Sequence, residues 1–278
     1  MAATSLMGER SSVVVLSGSS TLVRDYGSQD GEPLVLLHSA GLDGREFEAF
    51  IRKLLQLGDY RIVTLDQRGH GQSSTHGSDV TLEGMAGDVL SLVKHIGLGQ
   101  VHLLGHSVGG AIAGLVSSRA PETLRSLTIA ATPDVGVPIF RERAAQARRE
   151  GIATIVASTL PRWFEGSNPS ASDAALGYVA ASLNHMAAPD WAALWESFAG
   201  FSGFQESLVA HALCLVGELD LSTPPEIVRR VATRISATAK LAVIPGAPHQ
   251  LFLTHPGVVA NVWHAWNVSR VYARTPSS

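Results

Sequence analysis

The sequence predicts an α/β fold: a mostly parallel, eight-stranded sheet with helices on both faces and a helical segment inserted after the sixth strand. Three observations carry this. Apolar, β-type runs alternate with helical patterns along most of the chain. The later runs are apolar at nearly every position, which marks strands buried on both faces of a parallel sheet. The alternation is suspended once, between Asp134 and about Val209.

The strands are expected at 12–16, 21–26, 34–37, 61–65, 101–104, 126–130, 212–216 and 240–244, the first two able to form an antiparallel edge. The third runs into His38-Ser39-Ala40-Gly41 and the fourth into Asp66-Gln-Arg-Gly-His-Gly-Gln-Ser73. That second stretch reads as a structural turn whose charges pair internally. A helix follows over 81–96, with Leu82, Met85, Ala86, Val89, Val93 and Ile96 on one face, Thr81 as N-cap and Gly97 just past its end. The fifth strand enters Gly105-His106-Ser107-Val108-Gly109-Gly110 and then a small-residue helix, so a serine stands where a buried strand turns sharply into a helix. Such an elbow needs glycine, because a Cβ there would obstruct the turn and hold the helix off the strand.

After the sixth strand the chain turns helical and Ala-rich, broken by Pro138, Pro161, Pro169 and Pro189. Residues 134–209 are therefore expected as a helical cap over the strand ends, and 1–133 with 210–278 as the core. The charges from Arg141 to Glu150 mix signs at helical spacing and read as a solvated face. With 278 residues, 45% hydrophobic content and a net charge of −3, the chain can bury a large core and carries no basic surplus for nucleic acid. The single Cys214 lies in an apolar run and reads as an inert core thiol, and the expected compartment is cytoplasmic. Neither a secretory leader nor a membrane-spanning run is visible, so Asn267-Val268-Ser269 reads as a chance sequon.

A serine hydroxyl needs a base within hydrogen-bond reach, and the base needs a carboxylate that holds its tautomer. In this architecture the three come in the order Ser, acid, His. Beyond the seventh strand, Gly217-Glu218-Leu219-Asp220 puts Asp220 at a strand end; beyond the eighth, Pro245-Gly246-Ala247-Pro248-His249 puts a histidine on the same edge. Of eleven histidines, His249 is chosen on position: His102 is within a strand, His95 and His264 are on helices, His76, His185 and His211 sit on no such strand end, and His255 belongs to the last helix. Asp134 and Glu218 rival Asp220 as the acid. Acyl transfer also needs donors for the oxyanion. These are expected from the N–H groups of Val108 and Ala40, with Gly41 allowing close approach and His38 orienting the loop. Ser39 and His106 beside them are expected substrate contacts.

These landmarks together resemble the α/β-hydrolase superfamily over about residues 21–268. The stretch Gly151 to Phe164, ending Pro161-Arg162-Trp163-Phe164, is similar to the cap of 3-oxoadipate enol-lactonases, whereas His38-Ser-Ala-Gly departs from the Asn-Ser-Leu-Gly loop of those enzymes. The resemblance implies a serine hydrolase acting on a small-molecule ester or lactone through an acyl-enzyme, with Ser107, His249 and Asp220 as triad and neither metal nor organic cofactor. Arg162 would meet a substrate carboxylate and Trp163 its apolar body; the alternative is that Arg162 lies on the cap surface while Trp163 and Phe164 hold cap to core, and an apolar substrate fits as well. The same scaffold serves general carboxylesterases, carbon–carbon bond hydrolases, perhydrolases and hydrolase-like small-molecule receptors, so these stay open. Haloalkane dehalogenases and epoxide hydrolases use a carboxylate where this chain has Ser107. The chain is expected to act as a monomer or homodimer.

Overall fold

All eight expected strands are present, most of them longer than the apolar run that marked them, because polar residues at the ends still pair with a neighbouring backbone. They are β1 (Arg10–Leu16), β2 (Ser19–Gly27), β3 (Glu32–Leu37), β4 (Tyr60–Leu65), β5 (Val101–His106), β6 (Leu124–Ala130), β7 (Ala212–Gly217) and β8 (Lys240–Ile244). The computed structural model describes residues 8–74, 79–165, 173–206, 209 and 211–272; His76, Pro169 and the first seven residues, all touched by the expectations above, lie outside them. The strand order is β1-β2-β4-β3-β5-β6-β7-β8. β2 runs antiparallel to both β1 and β4, and every other pair is parallel.

Helices cover both faces. Beyond β3 comes α1 (Glu48–Leu54), beyond β4 comes α2 (Leu82–His95), and beyond β5 comes α3 (Val108–Arg119). Between β6 and β7 run α4 (Ile139–Glu150), α5 (Ile152–Phe164), α6 (Asp173–His185) and α7 (Ala188–Ala199). The chain closes with α8 (Pro225–Ile235), α9 (Leu251–Thr254) and α10 (Pro256–Tyr272). Side chains of each central strand alternate between two cores. Val35, Leu37, Leu103, Cys214 and Val216 pack with α2, α3 and α8, whereas Leu34, Leu36, Leu104, Leu213 and Leu215 pack with α1, α9 and α10. Burial on both sides is the physical reason these strands read as unbroken apolar runs.

The α2 start is capped as expected, with Thr81 Oγ1 accepting from Gly84 N–H at 3.0 Å. The turn after β4 is held by internal charge pairs. Asp66 accepts from Arg24 Nη1 (2.5 Å), Gly44 N–H and Gln72 N–H (3.0 Å each), and Arg68 forks onto Asp88 at 2.7 and 2.6 Å.

Two expectations for the inserted helices need correcting. Pro161 does not break the chain but lies inside α5, while Pro138 and Pro189 stand at helix starts, where a missing N–H costs little. Nor is the charged stretch of α4 a wholly solvated face. Arg141, Glu142 and Arg148 to Glu150 are exposed, but Arg143 turns inward, its guanidinium 4.8 Å from the Trp195 ring centroid and 5.4 Å from that of Phe140. Stacking on aromatic faces lets a cation occupy such a site.

Cys214 is fully buried in β7, and burial pushes its thiol up to about 12. A thiol reagent at neutral pH is accordingly expected to leave the native protein unmodified and to label one site per chain once denaturant is added; fast labelling of folded protein would contradict this burial. Among the described residues no helix is long and apolar enough to cross a membrane.

Candidate active site

The sheet order reverses at β3: the chain passes from β3 outward to β4, then returns to place β5 on the other side of β3. Loops leaving the ends of two such neighbours diverge and open a crevice, the usual ligand site of open α/β sheets. Here the two loops are His38 to Gly41, after β3, and the turn at Ser107, after β5.

Glycines bring those loops together. A Cβ on Gly105 would lie 2.1 Å from the Gly109 carbonyl oxygen, and one on Gly109 would lie 2.2 Å from that of Leu37 and 2.8 Å from that of His38. Gly109 thus lets the first turn of α3 touch the loop behind β3. Ser107 itself has φ 54° and ψ −116°, a left-handed backbone that an L-residue occupies at a cost of order 1–3 kcal/mol. It is held there by Ser107 N–H donating to Ala130 O (2.8 Å), while its own carbonyl accepts from Gly110 N–H (3.0 Å) and Thr132 Oγ1 (2.9 Å).

Across the sheet edge, His249 Nε2 lies 3.3 Å from Ser107 Oγ, and His249 Nδ1 lies 2.8 Å from Asp220 Oδ2. Asp220 is fixed by Thr223 Oγ1–H on Oδ2 (2.7 Å) and by the N–H groups of Ser222 (2.8 Å) and Thr223 (2.9 Å) on Oδ1. Burial alone would raise this carboxyl; the charge of His249, with the hydrogen bonds from His249 and Thr223, outweighs burial and holds it below the ordinary carboxylate value. The rivals are placed elsewhere. Asp134 accepts from Arg230 (2.8 Å), Glu218 accepts from Gly246 N–H (2.8 Å), and His255 faces Thr254 Oγ1 (2.9 Å).

Val108 opens α3, where a first-turn N–H has no intrahelical acceptor. Ala40 sits in a loop that His38 orients as expected: its Nδ1–H donates to Ser39 O and its Nε2 accepts from Gln67 N–H, both at 2.9 Å. Trp163 is buried with its ring 5.6 Å from that of His249, and its carbonyl accepts from Gln250 N–H at 3.3 Å. Arg162 is half-buried, its Nε without a hydrogen-bond partner among the described residues; burial lowers its pKa and the nearby Asp220 opposes that. The structure does not bring His106 to the crevice. Its ring is fully buried and both nitrogens are engaged, Nδ1 by Glu46 Oε1 and Nε2 by the His249 carbonyl (3.0 Å), so the expected substrate contact is replaced by an internal tie. Ser39 is likewise fully buried, its Oγ unpartnered among the described residues.

A family model described as alpha/beta hydrolase fold matches residues 32–256, a span that contains every one of these groups. The chain belongs to the α/β hydrolase fold family. An (E)-2-((N-methylformamido)methylene)succinate hydrolase of Acinetobacter baylyi is 26% identical over 244 residues, 85% of this chain and 90% of that relative. A 3-oxoadipate enol-lactonase of the same organism is 30% identical over 165 residues, 57% of this chain and 60% of the relative, in keeping with the resemblance read from the sequence. A thermophilic esterase from Thermogutta terrifontis superposes with a TM-score of 0.83 at 24% identity, over 94% of this chain and 98% of that one, which shows the shared fold.

Sequence reasoning missed Glu46, which is fully buried in the short 3₁₀ turn Gly44–Phe47 and reaches both loops of the crevice. An acidic residue set between apolar neighbours in Phe47-Glu-Ala-Phe was the nearest available signal, and it points to the wrong glutamate. Arg143 was missed for a different reason: its charged neighbours Arg141 and Glu142 are exposed, and only the fold turns it in.

Proposed function

We propose that this hydrolase cleaves an ester or lactone of a small molecule through an acyl-enzyme formed on Ser107. The single observation that supports this best is the unbroken hydrogen-bond chain from Ser107 Oγ through His249 to Asp220 at the crevice. In the proposed reaction, Oγ attacks the carbonyl carbon while His249 Nε2 takes its proton, and Asp220 stabilises the imidazolium. The N–H groups of Ala40 and Val108 receive the oxyanion. The C–O bond then breaks as His249 returns the proton to the leaving oxygen, which in a lactone stays tethered to the acyl chain. Water, deprotonated by His249, attacks the acyl-enzyme and frees the acid with Ser107 restored. This route needs no metal or organic cofactor.

Residues 134–209 serve in this reading as a cap. Trp163 against His249 excludes water beside the base, and Gly41 of the β3 loop meets Leu183 of α6 and Trp191 of α7 so closely that a Cβ would lie 2.3 and 3.0 Å from them. Side-by-side assay of lactones, short and long acyl esters and vinylogous diketones, with mass spectrometry of quenched turnover, tests the proposal. An acyl adduct on the Ser107 peptide supports it; ester turnover without any adduct there overturns it.

Arg162 carries the finer proposal that a carboxylate on the substrate is recognised. It is half-buried without a described hydrogen-bond partner on Nε, and Arg143 lies near enough to add to the local positive charge, its own pKa pushed down to about 10 by burial and by Arg162. A charged hydrogen bond of about 1.5–3 kcal/mol corresponds to roughly 10- to 100-fold in affinity. Arg162→Ala is therefore expected to raise KM for carboxylate-bearing lactones by that factor and to leave neutral ones nearly unchanged. An unchanged ratio between the two substrate sets removes the charge-recognition proposal.

A further inference from the structure

We propose that Glu46 and His106 form a positioning pair that sets the oxyanion loop against the base. This rests on the acyl-enzyme reading above. The two side chains are fully buried and in direct contact through Glu46 Oε1 and His106 Nδ1. Each also reaches a different part of the site. Glu46 Oε2 accepts from Ser39 N–H at 2.8 Å, one residue before Ala40. His106 Nε2 donates to the main-chain carbonyl of His249 at 3.0 Å, and His106 immediately precedes Ser107. One buried link therefore joins the β3 loop, the turn carrying the nucleophile and the backbone of the base, three segments that are distant in sequence.

The proton arrangement makes the pair directional. A carbonyl can only accept, so His106 Nε2 carries a proton, and the contact with Glu46 holds the other. Turning the ring over would put Cδ2 and Cε1 where Nδ1 and Nε2 now meet Glu46 and the His249 carbonyl, so both contacts would be lost. Its other neighbours limit it further: the His249 ring lies 5.2 Å away and that of Phe252 5.3 Å. Oxyanion donors contribute only when aimed at the developing charge, and a displacement of about 1 Å in a catalytic group can cost on the order of 10²-fold. Neither side chain touches the substrate in this proposal; each acts through Ser39, Ala40 and His249.

Glutamine at position 46 separates geometry from charge. Its carbonyl oxygen can accept from Ser39 N–H while its NH₂ donates to Nδ1 of a neutral, Nε2-protonated His106, so both ties survive. Leucine keeps the volume and loses both; aspartate keeps the carboxylate but is one methylene short of spanning the two partners. Activity toward an activated acetate ester is measured for Glu46→Gln, Glu46→Leu and Glu46→Asp, with thermal unfolding to fix a temperature at which each is folded and Ser107→Ala assayed alongside. Expected are kcat losses of about 10- to 100-fold in the leucine and aspartate variants with KM changed less than about threefold, and a glutamine variant within about threefold of wild type. Wild-type kcat in a folded leucine or aspartate variant overturns the proposal, and so does a glutamine variant that falls as far as the leucine one. Should leucine fail to fold, the aspartate and glutamine pair decides alone. If Ser107→Ala retains full activity, it is the acyl-enzyme reading that fails rather than the positioning of its loop.

Discussion

Ser107→Ala is expected to lower kcat toward an activated ester by about 10⁵-fold, equivalent to about 7 kcal/mol of barrier, while KM stays within a fewfold. The expectation follows from where the hydroxyl stands. It is the only part of Ser107 that the substitution removes, it lies 3.3 Å from His249 Nε2, and the backbone contacts to Ala130, Gly110 and Thr132 do not involve it. Alanine should therefore fold as the serine does and leave the oxyanion donors in place, so residual turnover should still exceed that of water. Steady-state hydrolysis of a p-nitrophenyl acyl ester, checked against contaminating host esterase, measures it. A loss of less than tenfold would mean that another group attacks the carbonyl.

The second large effect is expected at the acid. Asp220→Asn should lower kcat by about 10⁴-fold at neutral pH, as loss of the tautomer-holding carboxylate does in serine proteases. The local bonding decides which way the amide turns. Two backbone N–H groups, from Ser222 and Thr223, point at Oδ1, so the amide oxygen is held there and the NH₂ is presented to His249 Nδ1. That nitrogen must then accept, the proton moves to Nε2, and the atom that should take the Ser107 proton becomes a donor. The pH dependence has a definite sign. Asp220 is held below the ordinary carboxylate value, so the stabilisation it gives is present above that value and lost only as pH falls through its lower folded pKa. Asp220 should therefore add no inflection to the activity profile in the ordinary carboxylate range, and a carboxylate-like inflection above pH 4 would contradict its placement.

Strands, helices and the serine turn were legible because their signals are local. Periodicity, a cap at Thr81 and the run from Gly105 to Gly110 each act within a few residues, and Asp220 and His249 could be found because the fold puts strand ends on one edge. Glu46 and His106 were not legible as a pair. They are 60 residues apart, and nothing in either neighbourhood indicates that a carboxylate and an imidazole meet under the crevice. The expectation that His106 faces substrate failed for the same reason: β5 ends at His106, whose ring turns into the core while the next residue turns out. Arg143 shows the limit of charge patterning, since a cation stacked on Trp195 looks in sequence like any other on a solvated helix.

The backbone of Ser107 leaves the molecule in a trade-off between endurance and reactivity. Its left-handed conformation is one that glycine would adopt freely, so a glycine there would relieve the strain of this turn while removing the hydroxyl to which the proposed reaction assigns the attack. Under the proposed reaction, thermal persistence and turnover thus pull the same position in opposite directions.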